Sequence, residues 1–173
     1  VGRLLEHKGI REFVDAARKL RREKLPAKFA LVGPLDTYNP SAISPNEIAG
    51  WIDEGIVQYY GEVLDVRNYY TACHLLVLPS YREGLSTVVV EALAMERPVI
   101  VSDVPGCTDA MDSNCGWVVH ARDSEDLAKQ MRETFSMERE QLEQMGKEGR
   151  KLVERLFSKA QSSVPYVEAV KDA

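Results

Sequence analysis

Short apolar runs alternate along this chain with stretches in which apolar residues recur every three or four positions. Val1-Gly2-Arg3-Leu4 reads as the end of a strand passing directly into a loop. From Gly9, the residues Ile10, Phe13, Val14, Ala17 and Leu20 fall at helical spacing, and the stretch ends at Pro26. Phe29-Ala30-Leu31-Val32-Gly33 is a buried-strand pattern closed by glycine, and Pro34 to Pro45 is a turn-rich loop. A short helix around Asn46–Asp53 and a strand at Ile56–Tyr60 follow. Asp65 can cap a helix over Val66–Cys73, and Leu75-Leu76-Val77-Leu78-Pro79 is a continuous apolar strand. Glu83 to Met95 reads as a loop passing into a helix, and Val99-Ile100-Val101 and Gly116-Trp117-Val118-Val119 as strands. Ser124 and Glu125 open a helix through Phe135, and charged helices over Glu138–Leu156 and about Lys159–Lys171 close the chain.

Strands separated by helices predict an α/β fold, a doubly wound, mostly parallel sheet of about six strands. The 173 residues, 45% hydrophobic and 28% charged, suit one domain with a core of its own. The net charge of -5 argues against nucleic acid as a partner. Cys73, Cys107 and Cys115 form no C-x-x-C pair and read as reduced structural thiols, which favours a cytoplasmic setting. No apolar run approaches the roughly 18 residues of a membrane span, so membrane contact is not expected through this domain. His7, His74 and His120 lack metal-ligand spacing, and His74, opening an apolar strand, reads as a packed, hydrogen-bonded core residue. Trp51, Trp117, Tyr59 and Tyr60 sit at periodic apolar positions, of which Tyr60 stays open as a stacking surface. The alternating charges of Arg132–Arg155 read as a solvated face.

In such sheets ligands bind at the carboxyl ends of the strands, where loops enter helices. The run Pro79-Ser80-Tyr81-Arg82-Glu83-Gly84-Leu85-Ser86-Thr87 takes a buried strand through a glycine loop into a helix starting near Ser86. Free N–H groups at such a start form an anion site, which Gly84 lets a phosphate approach. Eight helical residues would separate Glu83 from Glu91 by roughly 12 Å, enough to reach both ends of an extended ligand. Carboxylates suit those ends because they accept paired hydrogen bonds from sugar hydroxyls. Helix capping by Glu83 and a solvated Glu91 account for the same spacing. Arg3 and Lys8, with Gly9, flank the mouth of the first strand and suit a diphosphate, with surface charge as the alternative.

These features taken in order resemble the C-terminal half of a GT-B glycosyltransferase. The likeness is to the large retaining "group 1" family, glycosyltransferase family 4, in its bacterial surface-polysaccharide branch. It rests on Gly2-Arg3…Lys8-Gly9, Gly33-x-x-Asp36…Asn39-Pro40, Arg82-Glu83-Gly84-Leu85 with Glu91, Pro98-Val99-Ile100, Val104-Pro105-Gly106-Cys107 and Asn114-x-Gly116. The resemblance implies that Arg3 and Lys8 bind the donor diphosphate and stabilise the leaving nucleotide. By the same likeness Glu83 holds the hydroxyls of the transferred sugar and Glu91 the ribose. Gly84, Leu85, Ser86 and Thr87 would contact phosphate or sugar through their amides, and Gln58–Val63, with Tyr60, would border the base.

Two positions depart from the branch: Ser86-Thr87 stand in place of proline and a basic residue, and Thr108-Asp109 in place of an Arg-Glu pair. No Asp-x-Asp pair is present, so neither a metal nor a cofactor is expected. Residues 1–173 are expected to be the nucleotide-sugar-binding domain, with the N-terminal acceptor domain outside the chain and inner-membrane contact through that other half. The expected donor is a UDP-sugar such as UDP-GalNAc. The acceptor is a glycan or lipid-diphosphate in O-antigen or similar synthesis, and the isolated chain would be inactive. A GDP-mannose or UDP-glucose transferase of the same fold, or a non-catalytic nucleotide-binding module, are the competing readings.

Overall fold

A computed structural model describes residues 1–157. Its elements run α1 (Ile10–Arg22), β1 (Ala30–Leu31), α2 (Pro45–Asp53), β2 (Gln58–Tyr59), α3 (Arg67–Ala72) and β3 (Leu76–Leu78). They continue with α4 (Thr87–Ala94), β4 (Val99–Ser102), β5 (Gly116–Val119), α5 (Ser124–Phe135) and α6 (Arg139–Phe157). All strand pairs are parallel: β1 with β2 in one sheet, and β3-β4-β5 in the other. The helix expected at Lys159–Lys171 lies outside the described residues.

β4 shows why helices cover both faces. All four of its residues are buried, and successive side chains point to opposite sides. Ile100 packs into a core formed with α1, α2 and α5, whereas Val99 and Val101 pack with α4 and α6. Among the described residues there are five strands, and Val1–Leu4 is not one of them. That segment runs beside Val32–Pro34, with Gly2 N–H donating to Val32 O at 2.8 Å and Leu4 N–H to Pro34 O at 3.2 Å. A cavity of about 30 Å³ is lined by residues of β1 and β3 together with Arg3, Lys8 and Pro79.

Helix boundaries follow local chemistry. Ser44 and Glu47 form a capping box ahead of α2, with Pro45 in its first turn. Asp123 caps α5, one residue ahead of the expected start. Asp65 accepts from the Arg67 N–H at 3.0 Å, but Val66 is the residue at the α3 boundary. His74 is exposed, against the packed position expected of it. It precedes β3, whose burial begins only at Leu76, so the apolar run does not reach back to it. Trp51 is buried and Trp117 packs partly buried against the first core, while Tyr60 is exposed. The charged faces of α5 and α6 carry exposed ion pairs such as Arg139–Glu143 and Arg150–Glu154. All three cysteines are free thiols, Cys107 and Cys115 fully buried. Burial pushes the Cys107 thiol up to about 12 and the Cys115 thiol up to about 11.

Candidate functional site

The loops that follow the strands converge where β3 ends. Gly9 sits in the left-handed region, and a Cβ there would fall 2.0 Å from Pro79 O. The bare backbone therefore lets the Lys8 loop press onto the end of β3. Tyr81 N–H donates to His7 O at 2.8 Å and fastens the same two loops together.

That contact brings Lys8 to Glu83. Lys8 Nζ donates to Glu83 Oε1 at 2.6 Å and to Oε2 at 2.9 Å, and the side chains are only 21% and 10% exposed. Ser80, fully buried at the end of β3, donates its hydroxyl to the same Oε1 at 2.7 Å. Three donors thus hold one carboxylate, and Lys8, with three N–H bonds, keeps one for another acceptor. Nearby, burial and then the Lys8 and Arg82 cations hold the His7 imidazole below its ordinary range.

α4 begins at Thr87, so half the span from Glu83 to Glu91 is loop rather than helix. Ser86 is buried; its hydroxyl accepts from Val89 N–H, and its own N–H donates to Gly106 O at 2.9 Å. Among the described residues no acceptor takes the N–H groups of Gly84, Leu85, Thr87 and Val88. These four, and not Ser86, are the donors left for an anion. Gly106, also left-handed, lies so close to the Gly84 loop that a Cβ would fall 1.5 Å from Gly84 O. Asp109 Oδ2 accepts from the Gly106 N–H at 3.0 Å and fixes that turn. An added Cβ on Gly84 itself would meet nothing within 4 Å.

Arg3 is exposed and reaches Asp36 Oδ2 at 3.5 Å, a weak contact that leaves the guanidinium available. Glu91 lies exposed on α4, and Tyr70 donates to its Oε2 at 3.0 Å. Tyr60 rests edge-on against Tyr69, with ring centroids 5.0 Å apart, and its hydroxyl donates to Gln58 Oε1 at 2.9 Å. The structure therefore joins Lys8 directly to Glu83, sets Arg3 and Lys8 on one small cavity, and puts Glu91 further along α4. Ser80, Tyr70 and Asp109 were not visible as site residues in the sequence. Ser80 and Asp109 each had a local signal, a polar side chain three residues from its partner, whereas Tyr70 depends on Glu91, 21 positions away. Among the described residues no group of three or more His, Cys, Asp or Glu side chains is placed to hold a metal ion.

Residues 1–136 match the family model described as "Glycosyl transferases group 1". The chain belongs to that family. Among curated relatives, it is 37% identical over 113 residues to the N,N'-diacetylbacillosaminyl-diphospho-undecaprenol alpha-1,3-N-acetylgalactosaminyltransferase of Campylobacter jejuni, covering 65% of this chain and 28% of the relative. It is 30% identical over 159 residues to the capsular polysaccharide biosynthesis glycosyltransferase CapM of Staphylococcus aureus, covering 91% and 41%. Sucrose-phosphate synthase from Thermosynechococcus elongatus superimposes with a TM-score of 0.83 at 27% identity, covering 99% of this chain and 44% of that one. HepE from Anabaena, solved in complex with UDP, superimposes with a TM-score of 0.82 at 20% identity, covering 99% and 48%. The fold of these solved structures covers nearly all of this chain, which spans less than half the length of each of these proteins.

Proposed function

We propose that this chain is the donor-binding half of a retaining group 1 glycosyltransferase that moves a hexose or N-acetylhexosamine from a nucleotide sugar to a glycan or lipid-diphosphate acceptor during surface-polysaccharide synthesis. The observation that carries the reading is the Lys8–Glu83 contact at 2.6 Å. A nucleotide sugar has one place where a cation and a hydroxyl-binding carboxylate belong side by side, the bond between the diphosphate and the sugar. Lys8 then answers the phosphate on one side of that bond and Glu83 the sugar hydroxyls on the other. Arg3 and the free amides of Gly84, Leu85, Thr87 and Val88 share the diphosphate charge, which grows as the nucleotide leaves. Glu91, further along α4, takes the ribose, and Tyr60 borders the base. The donor is a UDP-sugar, a reading supported by the relative that transfers N-acetylgalactosamine and by the UDP held in the same fold by HepE.

The test is calorimetric titration of the chain with UDP-, GDP- and ADP-sugars and the matching diphosphates, alongside Lys8→Ala and Arg3→Ala. UDP compounds should bind tightest. Loss of a charge-assisted bond should weaken them roughly 10- to 150-fold in either variant, equivalent to about 1.5–3 kcal/mol. Wild-type affinity in both folded variants would remove the diphosphate assignment, and preference for GDP would move the donor to the guanine series.

A further inference from the structure

Tyr70 is placed in a way that core packing alone does not require. Its ring is 1% exposed and lies in the second core beside residues such as Leu76, Val89 and Leu93. A phenylalanine would fill that space equally well. The hydroxyl instead emerges beside α4 and donates to Oε2 of Glu91 at 3.0 Å, with Val88 O a more distant acceptor at 3.4 Å. Glu91 is exposed, and among the described residues its Oε1 has no hydrogen-bond donor. One oxygen of a solvent-facing carboxylate is therefore fixed from below by a buried hydroxyl, and the other is left open.

A free glutamate side chain samples many rotamers, and ordering one costs conformational entropy. Holding it in advance lowers that cost for a ligand needing both oxygens in one plane. We propose that Tyr70 is a positioning residue for Glu91, its hydroxyl fixing Oε2 so that the carboxylate is presented ready-oriented to the adjacent hydroxyls of a ribose. The inference rests on the assignment of Glu91 to the ribose. Burial and then the Glu91 charge hold the Tyr70 phenol well above its ordinary range, so it keeps its proton and acts as donor.

The measurement is a ratio: the affinity of the chain for UDP over 2′-deoxy-UDP, with GDP and 2′-deoxy-GDP in parallel. It is taken for wild type, Glu91→Gln, Tyr70→Phe and the double variant, with thermal melts to follow folding. Wild type should favour the ribose form, and Glu91→Gln should lose that preference. Tyr70→Phe should cut the preference roughly 3- to 10-fold, weakening the ribonucleotide more than the deoxy form, which keeps only the 3′-hydroxyl for Glu91. It should have no further effect once Glu91 is Gln. A merely structural Tyr70 would change both affinities together and leave the ratio alone. A wild-type ratio in Tyr70→Phe, with the preference lost in Glu91→Gln, would eliminate the positioning role and keep the ribose assignment. A ratio unmoved in Glu91→Gln, no ribose preference in the wild type, or no nucleotide binding at all, would remove the ribose assignment and the inference with it.

Discussion

Lys8, Glu83 and Ser80 show how little of a site depends on residues adjacent in the chain. Lys8 and Glu83 lie 75 positions apart and share two hydrogen bonds. Each of these two was visible in the sequence as a charge beside a glycine loop. Their contact was not, because it depends on Gly9 pressing against Pro79. The contact changes what substitution at Glu83 should do. Neutralising that carboxylate releases Lys8 from its partner and makes the loop more positive. Glu83→Gln should therefore bind UDP as tightly as the wild type or a few-fold tighter, the opposite sign to Lys8→Ala. In a complete enzyme the same change should depress transfer, where placement of the sugar governs the rate. Paired UDP titrations of the two variants check the sign, and weakening by both would mean that Glu83 serves the diphosphate rather than the sugar.

Among the elements, α2 offers the most direct measurement. Glu47 closes the capping box with Ser44 and also receives Arg11 from α1, at 2.9 Å. Arg11 first, and the Ser44 hydroxyl and N–H after it, pull the Glu47 carboxyl from an ordinary value of 4.5 down to about 2. A folded-state value below the unfolded one contributes stability that is complete above the unfolded value. It is lost as the pH falls through the folded value. Glu47 should therefore give melting temperature an acid-side slope between about pH 4.5 and 2 that flattens in Glu47→Gln. Ser44→Ala, removing the cap, should cost about 1 kcal/mol, or roughly 2–4 °C in a chain of this size. Scanning calorimetry across that pH range measures both. α2 was legible almost to the residue, because Ser44-Pro45…Glu47 is a local signal. His74 was misplaced because periodicity cannot say where an apolar run stops being covered, and its neighbours in space come from other parts of the chain.

For the molecule as a whole, alternation of apolar runs and helical patterns was enough to identify parallel strands under helices on both sides. It could not reveal that the strands divide into two hydrogen-bonded sheets, since register is a property of pairs. The candidate site is open: Arg3, Leu85, Thr87 and Glu91 all face solvent. Transfer needs an acceptor hydroxyl held at the anomeric carbon, and such placement is worth roughly 7–11 kcal/mol. Two cations and four free amides can balance a diphosphate without a divalent ion. The chain should accordingly bind UDP equally with and without EDTA and transfer no sugar to a lipid-diphosphate acceptor by itself. Binding lost to EDTA would require a metal in the site, and steady turnover would show that these 173 residues suffice for the reaction.

The meeting of Gly106 with the carbonyl of Gly84 bears on ancestry as well as on shape. It is a contact of backbone with backbone, indifferent to the identity of any sugar, and nearly every substitution at Gly106 would push the two loops apart. Directly beside it, Leu85 and Thr87 carry exposed side chains, and the Thr87 hydroxyl has no hydrogen-bond partner among the described residues. A lineage is free to exchange those two while the turn beneath them stays unchanged. Novelty would then accumulate at Leu85 and Thr87, and descent would be recorded at Gly106.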